Sequence, residues 1–420
     1  MTDKLKKINQ ALVAYKENAP FYKKILKNVA EQGCLSIEEF EKIPMTTASD
    51  VKRAYPFGML ACDKSEVVGL YEAMDLNDAN LTRSSRSCGV FTKKDMMKDI
   101  SRRSYLELTK EDMVYLAIPF SYSVAARHIE KMAYDAGAMV VTADADCVNN
   151  SIRKQIDTIL RLNPSVIVIP NAFLYLAVMK MMGIKADKLS NLKAILLTGT
   201  PVSNAGVERV KAEFPGVNVY VSYSRVEFGE IGYSVNSNRL QIHDEYYVEL
   251  INPKTKQVIT DTGVGGEIVI TSLASEAMPL VRYRTGEIGK YINKNENEIE
   301  MEYVGDFDNL MEFANEGKRY TACNFEEVLF ANQNVTGLYS FEFLDDDGIQ
   351  ITLDIDDSNK KEEVETALKQ EILAVMGVDV TINAVYLGEA RKDLLQPYTE
   401  KTVLDVQVVK NKRKKWLVTY

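Results

Sequence analysis

The chain has 420 residues, 46% of them hydrophobic and 26% charged, with a formal net charge of −9. This length exceeds one ordinary hydrophobic core, so two or more domains are expected. The acidic balance excludes a general nucleic-acid binder, which needs a basic face to neutralise phosphates.

Five cysteines (Cys34, Cys62, Cys88, Cys147 and Cys323) lie scattered without C-x-x-C spacing, with only His128 and His243 beside them. That pattern gives no structural zinc site and reads as free thiols in a reducing compartment. The first residues are charged and lack an apolar signal core, and no apolar run is long enough to span a bilayer. A cytoplasmic protein without a membrane partner is expected.

Helical spacing runs over residues 4–42, with Pro20 as a break, and two turn-rich stretches follow at 43–47 and 55–61. Short apolar runs at 113–118, 165–170, 194–199 and 217–221 alternate with helical stretches at 127–136, 171–182 and 207–214. This alternation predicts parallel βαβ units, an α/β fold whose ligands gather at the carboxyl ends of the strands. Thr198, Gly199 and Thr200 fall at one such end, and Tyr223 to Glu227 at another. From Leu240 the strands become closely spaced (246–251, 267–271, 280–284), separated by a turn at 252–255 and a Gly-rich stretch at 263–266. They predict a small antiparallel or barrel-like layer closing the first domain. A polar, acidic shift after Lys290 places the domain boundary, giving domains 1–305 and 306–420. Beyond it, 337–344, 350–355, 360–376 and 380–387 read β-β-α-β, a small α+β module.

Several phrases occur in a telling order: PFY at 20–22, IPMTT at 43–47, YPFGMLA at 55–61, Y-S-R-V-E at 223–227, M-P-L-V-R-Y-R-T-G-E at 278–287, and E-K-T-V-L-D at 400–405. In this order the chain resembles the phenylacetate–CoA ligases of the adenylate-forming (acyl-CoA synthetase, AMP-binding) superfamily, from Phe21 to Asp405. The resemblance implies a large N-terminal α/β domain and a small mobile C-terminal domain that turns about Asp308. It also implies ATP-dependent activation of an aryl or small carboxylic acid, with transfer of the acyl group to CoA or another acceptor. ATP, Mg²⁺ and CoA are the implied cofactors, and a homodimer the implied assembly.

By the same resemblance Tyr223 stacks on adenine, Ser224 and residues 198–200 line the nucleotide, and Glu227 is both a catalytic carboxylate and the Mg²⁺ ligand. Glu287 holds the ribose in place of the family's Asp, Lys401 is the catalytic lysine, and Phe120, Ser121, Tyr122 and Ser123 form the acyl pocket. The sequence also departs from the family pattern. The glycine-rich phosphate loop is replaced by a longer stretch between Val68 and Phe91, and Ser84 to Gly89 can be laid over it only with Arg86 where a glycine belongs. Asp306 replaces the hinge arginine, while Ser224, Ser121 and Ser123 replace glycines. These changes motivate a second reading, a repurposed member doing ATP-independent acyl or CoA-linked chemistry, and a third, a non-catalytic scaffold. The basic run at 410–415 reads as a solvated tail or as a contact for the phosphates of CoA.

Overall fold

The computed structural model describes residues 3–72, 87–120, 123–143, 151–295, 298–307, 311–313, 318–344, 348–386 and 417–418. Ser121, Tyr122, Asp308 and Lys401 therefore lie outside the described residues, as do residues 73–86 of the divergent loop and the basic run at 410–415.

Helices α1 (Asp3–Asn18), α2 (Pro20–Ile25), α3 (Ile37–Phe40) and α4 (Ala48–Ala54) lead into the hairpin β1 (Val67–Glu72) and β2 (Cys88–Thr92). Then follow α5 (Lys93–Arg102), β3 (Met113–Leu116), α6 (Val124–Asp135), β4 (Met139–Thr142), α7 (Ile152–Leu162), β5 (Val166–Ile169), α8 (Ala172–Met181), β6 (Ala194–Thr198), α9 (Asn204–Glu213) and β7 (Asn218–Arg225). Strands β4, β3, β5, β6 and β7 pair in parallel in that order. Their side chains alternate between two buried faces, as the continuous apolar runs require. Val114, Leu116, Val166, Val168 and Leu196 pack beneath α5 and α6, while Tyr115, Ile167, Ile169, Ile195 and Leu197 pack beneath α7, α8 and α9. Local capping sets the helix starts: Thr92 and Asp95 form a capping box for α5, and Ser203 accepts the Gly206 N–H at the head of α9.

The antiparallel half comprises β8 (Gly229–Val235), β9 (Leu240–Ile242), β10 (Tyr246–Ile251), β11 (Val258–Ile259), β12 (Gly265–Ser272), β13 (Tyr283–Lys294) and β14 (Ile299–Asp306). It was expected as a layer of its own. Instead it continues the hydrogen bonding of the parallel half, so that one sheet of 12 strands runs β11-β10-β12-β13-β14-β9-β8-β7-β6-β5-β3-β4. The barrel-like character appears as curl: β13 and β7 have three strands between them, yet Tyr223 on β7 donates its hydroxyl proton to Glu287 on β13. The start of β13 is pinned by Arg282, which holds Glu249 through two N–H groups at 2.8 and 3.1 Å and bonds the Ile43 carbonyl at 2.8 Å.

A short hairpin, β15 (Met311–Phe313) with β16 (Lys318–Tyr320), precedes α10 (Ala322–Leu329), β17 (Val335–Phe343), β18 (Ile349–Ile355), α11 (Lys361–Met376) and β19 (Val380–Tyr386). With β20 (Leu417–Val418) these strands form a second sheet, β19-β18-β17-β20, matching the expected β-β-α-β reading. The packing does not break where the composition shifts. Phe325, Leu329, Phe330 and Tyr339 belong to the same apolar cluster as Phe173 and Val207. Glu327 accepts the backbone N–H groups of Asn204 and Ala205 at 2.7 and 3.0 Å, so its charge faces the N-terminal end of α9, where a carboxylate is favoured.

Candidate active site

The C-terminal edge of the parallel half holds the groups that the sequence singled out. Thr198 ends β6 and pairs with Ser222 on β7. Gly199 follows with φ +102°, a left-handed geometry that glycine adopts without strain. The Thr200 hydroxyl donates to the Pro170 carbonyl at 2.7 Å, whereas the buried Thr198 hydroxyl has no partner among the described residues. An orphaned donor at a strand end is a place for a ligand to complete.

Alternation along β7 separates its side chains. Ser222 and Ser224 face a buried arginine, Arg103, at 3.4 Å each, so Ser224 turns away from the cluster around Glu227. Tyr223 and Arg225 face the opposite side. There the turn after β7 carries Glu227, and the curl of the sheet brings Tyr283 and Glu287 against it. Arg225 sits between the two carboxylates. Its Nε and Nη2 donate to Glu227 at 3.2 and 3.1 Å, and its Nη1 lies 2.6 Å from Glu287. Ser87 and Tyr283 also donate to Glu227, at 2.6 and 2.7 Å. Gly89 makes this approach possible. A Cβ built there would lie 1.8 Å from the Val226 carbonyl oxygen, so only glycine lets β2 come this close to the turn.

The electrostatics follow from the partners. Burial works against the Glu227 charge, but Arg225 and the donated hydrogen bonds outweigh it and hold the carboxyl below its ordinary value. Tyr223 and Tyr283 are pushed far up, first by burial and then by the neighbouring carboxylates, so both stay phenols that donate. Burial opposes the Arg225 charge too, and Glu227 and Glu287 reverse that. Asp306 pairs with Glu287 across β14 and β13. The arginine expected at 306 is thus replaced by an acid, while an arginine stands nearby at 225.

The structure brings Tyr223, Glu227 and Glu287 together at the end of β7; Thr198 ends the neighbouring strand β6, with its side chain on the opposite face, beside Ser222. Tyr223 is 3% exposed and its ring lies 4.9 Å from that of Tyr303 at a 33° tilt, so no open face is presented for an adenine in this arrangement. Ser123 caps α6 by accepting the Ala126 N–H, and Phe120 lies under the Arg127 guanidinium at 5.0 Å. These contacts tie both residues to α6.

Sequence reasoning missed Arg225, Tyr283 and Ser87 as members of the cluster. For Arg225 a signal existed, because strand alternation puts it on the same face as Tyr223, two residues earlier. Glu227 is an ionised carboxylate with about four lone-pair sites. Its Oε1 accepts three hydrogen bonds, from Ser87, Tyr283 and Arg225 Nη2, and its Oε2 accepts one, from Arg225 Nε. A guanidinium already lies where a cation would approach, so the arrangement does not fit Mg²⁺ at Glu227. No group of three or more His, Cys, Asp or Glu side chains converges as a metal-binding set among the described residues.

No protein-family model matches the chain. The phenylacetate-coenzyme A ligase of Aromatoleum evansii is 24% identical over 409 residues, covering 90% of each chain. A 2-hydroxyisobutyryl-CoA ligase, solved in the postadenylation state with an acyl-AMP, superposes with a TM-score of 0.76 at 16% identity. That match covers 91% of this chain and 85% of the other. The ATP-bound MatB of Rhodopseudomonas palustris gives a TM-score of 0.56 at 13% identity, over 78% and 66% of the two chains. The fold is that of the adenylate-forming enzymes. Within that fold class, the chain is similar over 90% of its length to a phenylacetate-coenzyme A ligase, at 24% identity.

Proposed function

We propose that the protein activates an aryl or small carboxylic acid with ATP and passes the acyl group to CoA. The observation that carries this reading is the cluster at the end of β7: Tyr223, Glu227 and Glu287 meet around Arg225 in a chain similar to a phenylacetate-coenzyme A ligase over 90% of its length.

The substrate carboxylate attacks the α-phosphorus of ATP, the bond to pyrophosphate breaks, and an acyl-adenylate forms. The CoA sulfur then attacks the acyl carbon, AMP leaves, and the thiol proton goes to solvent. The protein's part is to position and neutralise charge. The turn at Gly199 offers backbone hydrogen bonds to the nucleotide at the strand ends. Glu287, oriented by Tyr223, is the ribose-facing carboxylate. Arg225 supplies positive charge in a site rich in acids. Lys401 keeps the role of the mobile cation at the α-phosphate, and the module from 306 turns about Asp308 to deliver it. Such a turn must part Glu327 from the head of α9.

The test is acid-dependent pyrophosphate release from ATP, scanned over aryl and short-chain acids. Release with one acid class, followed by CoA-dependent thioester formation, is expected. Absence of nucleotide binding at millimolar ATP would sink the reading in favour of ATP-independent chemistry on the same fold. Glu287→Ala is expected to weaken nucleotide binding by about tenfold, the loss of one good hydrogen-bonding group.

A further inference from the structure

The Mg²⁺ ligand that the family pattern requires and the geometry at Glu227 disagree, and the disagreement has a physical cause in one side chain. Arg225 bridges Glu227 and Glu287, at 3.1 and 2.6 Å, with its side chain 16% exposed against 1% and 15% for the carboxylates. Guanidinium is planar, always charged and weakly hydrated, so it survives desolvation between two carboxylates better than an ammonium does. A divalent cation at Glu227 must displace donors from Oε1, which accepts three hydrogen bonds, or share Oε2 with the Arg225 Nε. It must also approach a fixed positive charge a few ångströms away. Both costs fall on the metal, because Arg225 is covalently part of the site and loses no translational freedom on binding.

We infer that Arg225 is the built-in cation of this site: it replaces the divalent metal at Glu227, makes Glu227 a positioning residue for the guanidinium, and meets an anionic phosphoryl ligand. The inference rests on the proposed nucleotide-dependent reading for the identity of that ligand, but not for the exclusion of metal. Three N–H contacts of Arg225 hold the two carboxylates. The guanidinium has five N–H groups, and those remaining are free to donate to a phosphate oxygen at the partly exposed edge. Opposing acids also keep the arrangement from being a general anion trap. Glu227 and Glu287 outnumber Arg225 by one charge, and Asp306 lies across from Glu287, so the site holds no excess positive charge and an incoming phosphate is held only by directed hydrogen bonds.

Metal binding and nucleotide binding can be read separately. The first measurement is Mn²⁺ binding to the full chain without nucleotide, by electron paramagnetic resonance of free Mn²⁺. The wild type is expected to hold no Mn²⁺ that Glu227→Gln removes. Arg225→Leu is expected to gain a site, lost again in the Arg225→Leu, Glu227→Gln double variant. A wild-type Mn²⁺ site abolished by Glu227→Gln overturns the inference. Because Arg225→Leu leaves two carboxylates unpaired and can fail to fold, Arg225→Lys serves beside it. Lysine keeps the charge but not the fork, and is expected to show intermediate Mn²⁺ binding. The second measurement is calorimetric titration with ATP in excess EDTA and in Mg²⁺. Less than about a tenfold difference in affinity is expected for the wild type, with a larger Mg²⁺ dependence in Arg225→Leu. Strong Mg²⁺ dependence in the wild type that vanishes in Glu227→Gln counts against the inference. If ATP fails to bind under either condition, the proposed reaction falls, and the Mn²⁺ result still decides whether Arg225 excludes metal.

Discussion

Two arginines in this protein each hold a pair of carboxylates, on opposite faces of β7. Arg103 joins Asp99 and Glu230 at 3.3 and 2.6 Å, and all three side chains are fully buried. His128 contacts Asp99 at 2.5 Å, Tyr105 and Ser222 donate to Glu230 at 2.7 and 2.6 Å, and His243 lies 3.2 Å from it. Arg225 joins Glu227 and Glu287 with an exposed edge remaining. The charge arithmetic is the same, one guanidinium to two acids. The completion differs. Around Arg103 the fold itself supplies further partners to both acids and to both terminal nitrogens of the guanidinium, leaving only its buried Nε without one among the described residues. Around Arg225 part of the coordination is left to what arrives from outside. One cluster is a strut and the other a site.

The sharpest way to break that comparison is to remove each arginine. Arg103→Leu strands Asp99 and Glu230 in the interior and is expected to cost about 3–5 kcal/mol of stability, read from urea unfolding. Arg103 also keeps Asp99 ionised. Burial pushes that carboxyl up, but Arg103 and His128 together hold it well below its ordinary value. A depressed folded-state value gives stability that is complete above the unfolded value of 3.8 and is lost as pH falls below it. Arg103→Leu is therefore expected to flatten the acid limb of the stability profile. An unchanged acid limb would mean that Asp99 does not depend on Arg103.

A carboxylate outside both clusters shows what the arginines prevent. Asp354 on β18 is buried, accepts a hydrogen bond from Thr336 at 2.6 Å, and has one oxygen without a partner among the described residues. Burial pushes its carboxyl up to about 7, against smaller lowering effects of Thr336 and Lys180. The sign is opposite to that of Asp99. The folded protein holds the Asp354 proton up to about pH 7, while the unfolded chain releases it near 3.8, so stability declines between those values and levels off above. Asp354→Asn is expected to remove that decline, a change of roughly 3 kcal/mol between pH 4 and pH 8 in the difference from wild type. A difference that is flat with pH would show that Asp354 is ionised in the fold. Arg225→Leu comes next in size, about 1–2 kcal/mol in urea, because its cluster is partly hydrated already. Its larger effect belongs to ligand binding.

The parallel strands were legible because residues buried on both faces are apolar without interruption, as at Val166–Ile169 and Ala194–Thr198. Helix ends were less so, since α6 begins at Val124 rather than at 127, a start set by the Ser123 cap and not by periodicity. The acids of the site, Glu227 and Glu287, could be picked out by resemblance. Strand alternation puts Arg225 on the face of Tyr223, but its bridge to Glu287 could not be read, because it depends on a curl that brings β13 over β7 across three intervening strands. No local pattern encodes that contact. The joining of the antiparallel strands to the parallel sheet escaped for the same reason: each strand's own pattern is satisfied whether its neighbour is β8 or a separate layer.

The smallest change tests which acid Arg225 guards. Glu287→Asp shortens the side chain by one methylene and pulls the carboxylate back from both Tyr223 and Arg225. Arg225 keeps its two donors on Glu227 at 3.1 and 3.2 Å, so the stability loss is expected to stay below about 1 kcal/mol. The four hydrogen bonds to Glu227 are untouched, and Mn²⁺ binding is expected to remain absent. Appearance of a Mn²⁺ site in Glu287→Asp would give Glu287 the larger share in anchoring the guanidinium, because its retreat alone would then free Arg225 to leave Glu227. Unchanged metal exclusion together with weakened nucleotide binding divides the labour as the geometry suggests: Glu227 fixes the cation, and Glu287 faces the ligand.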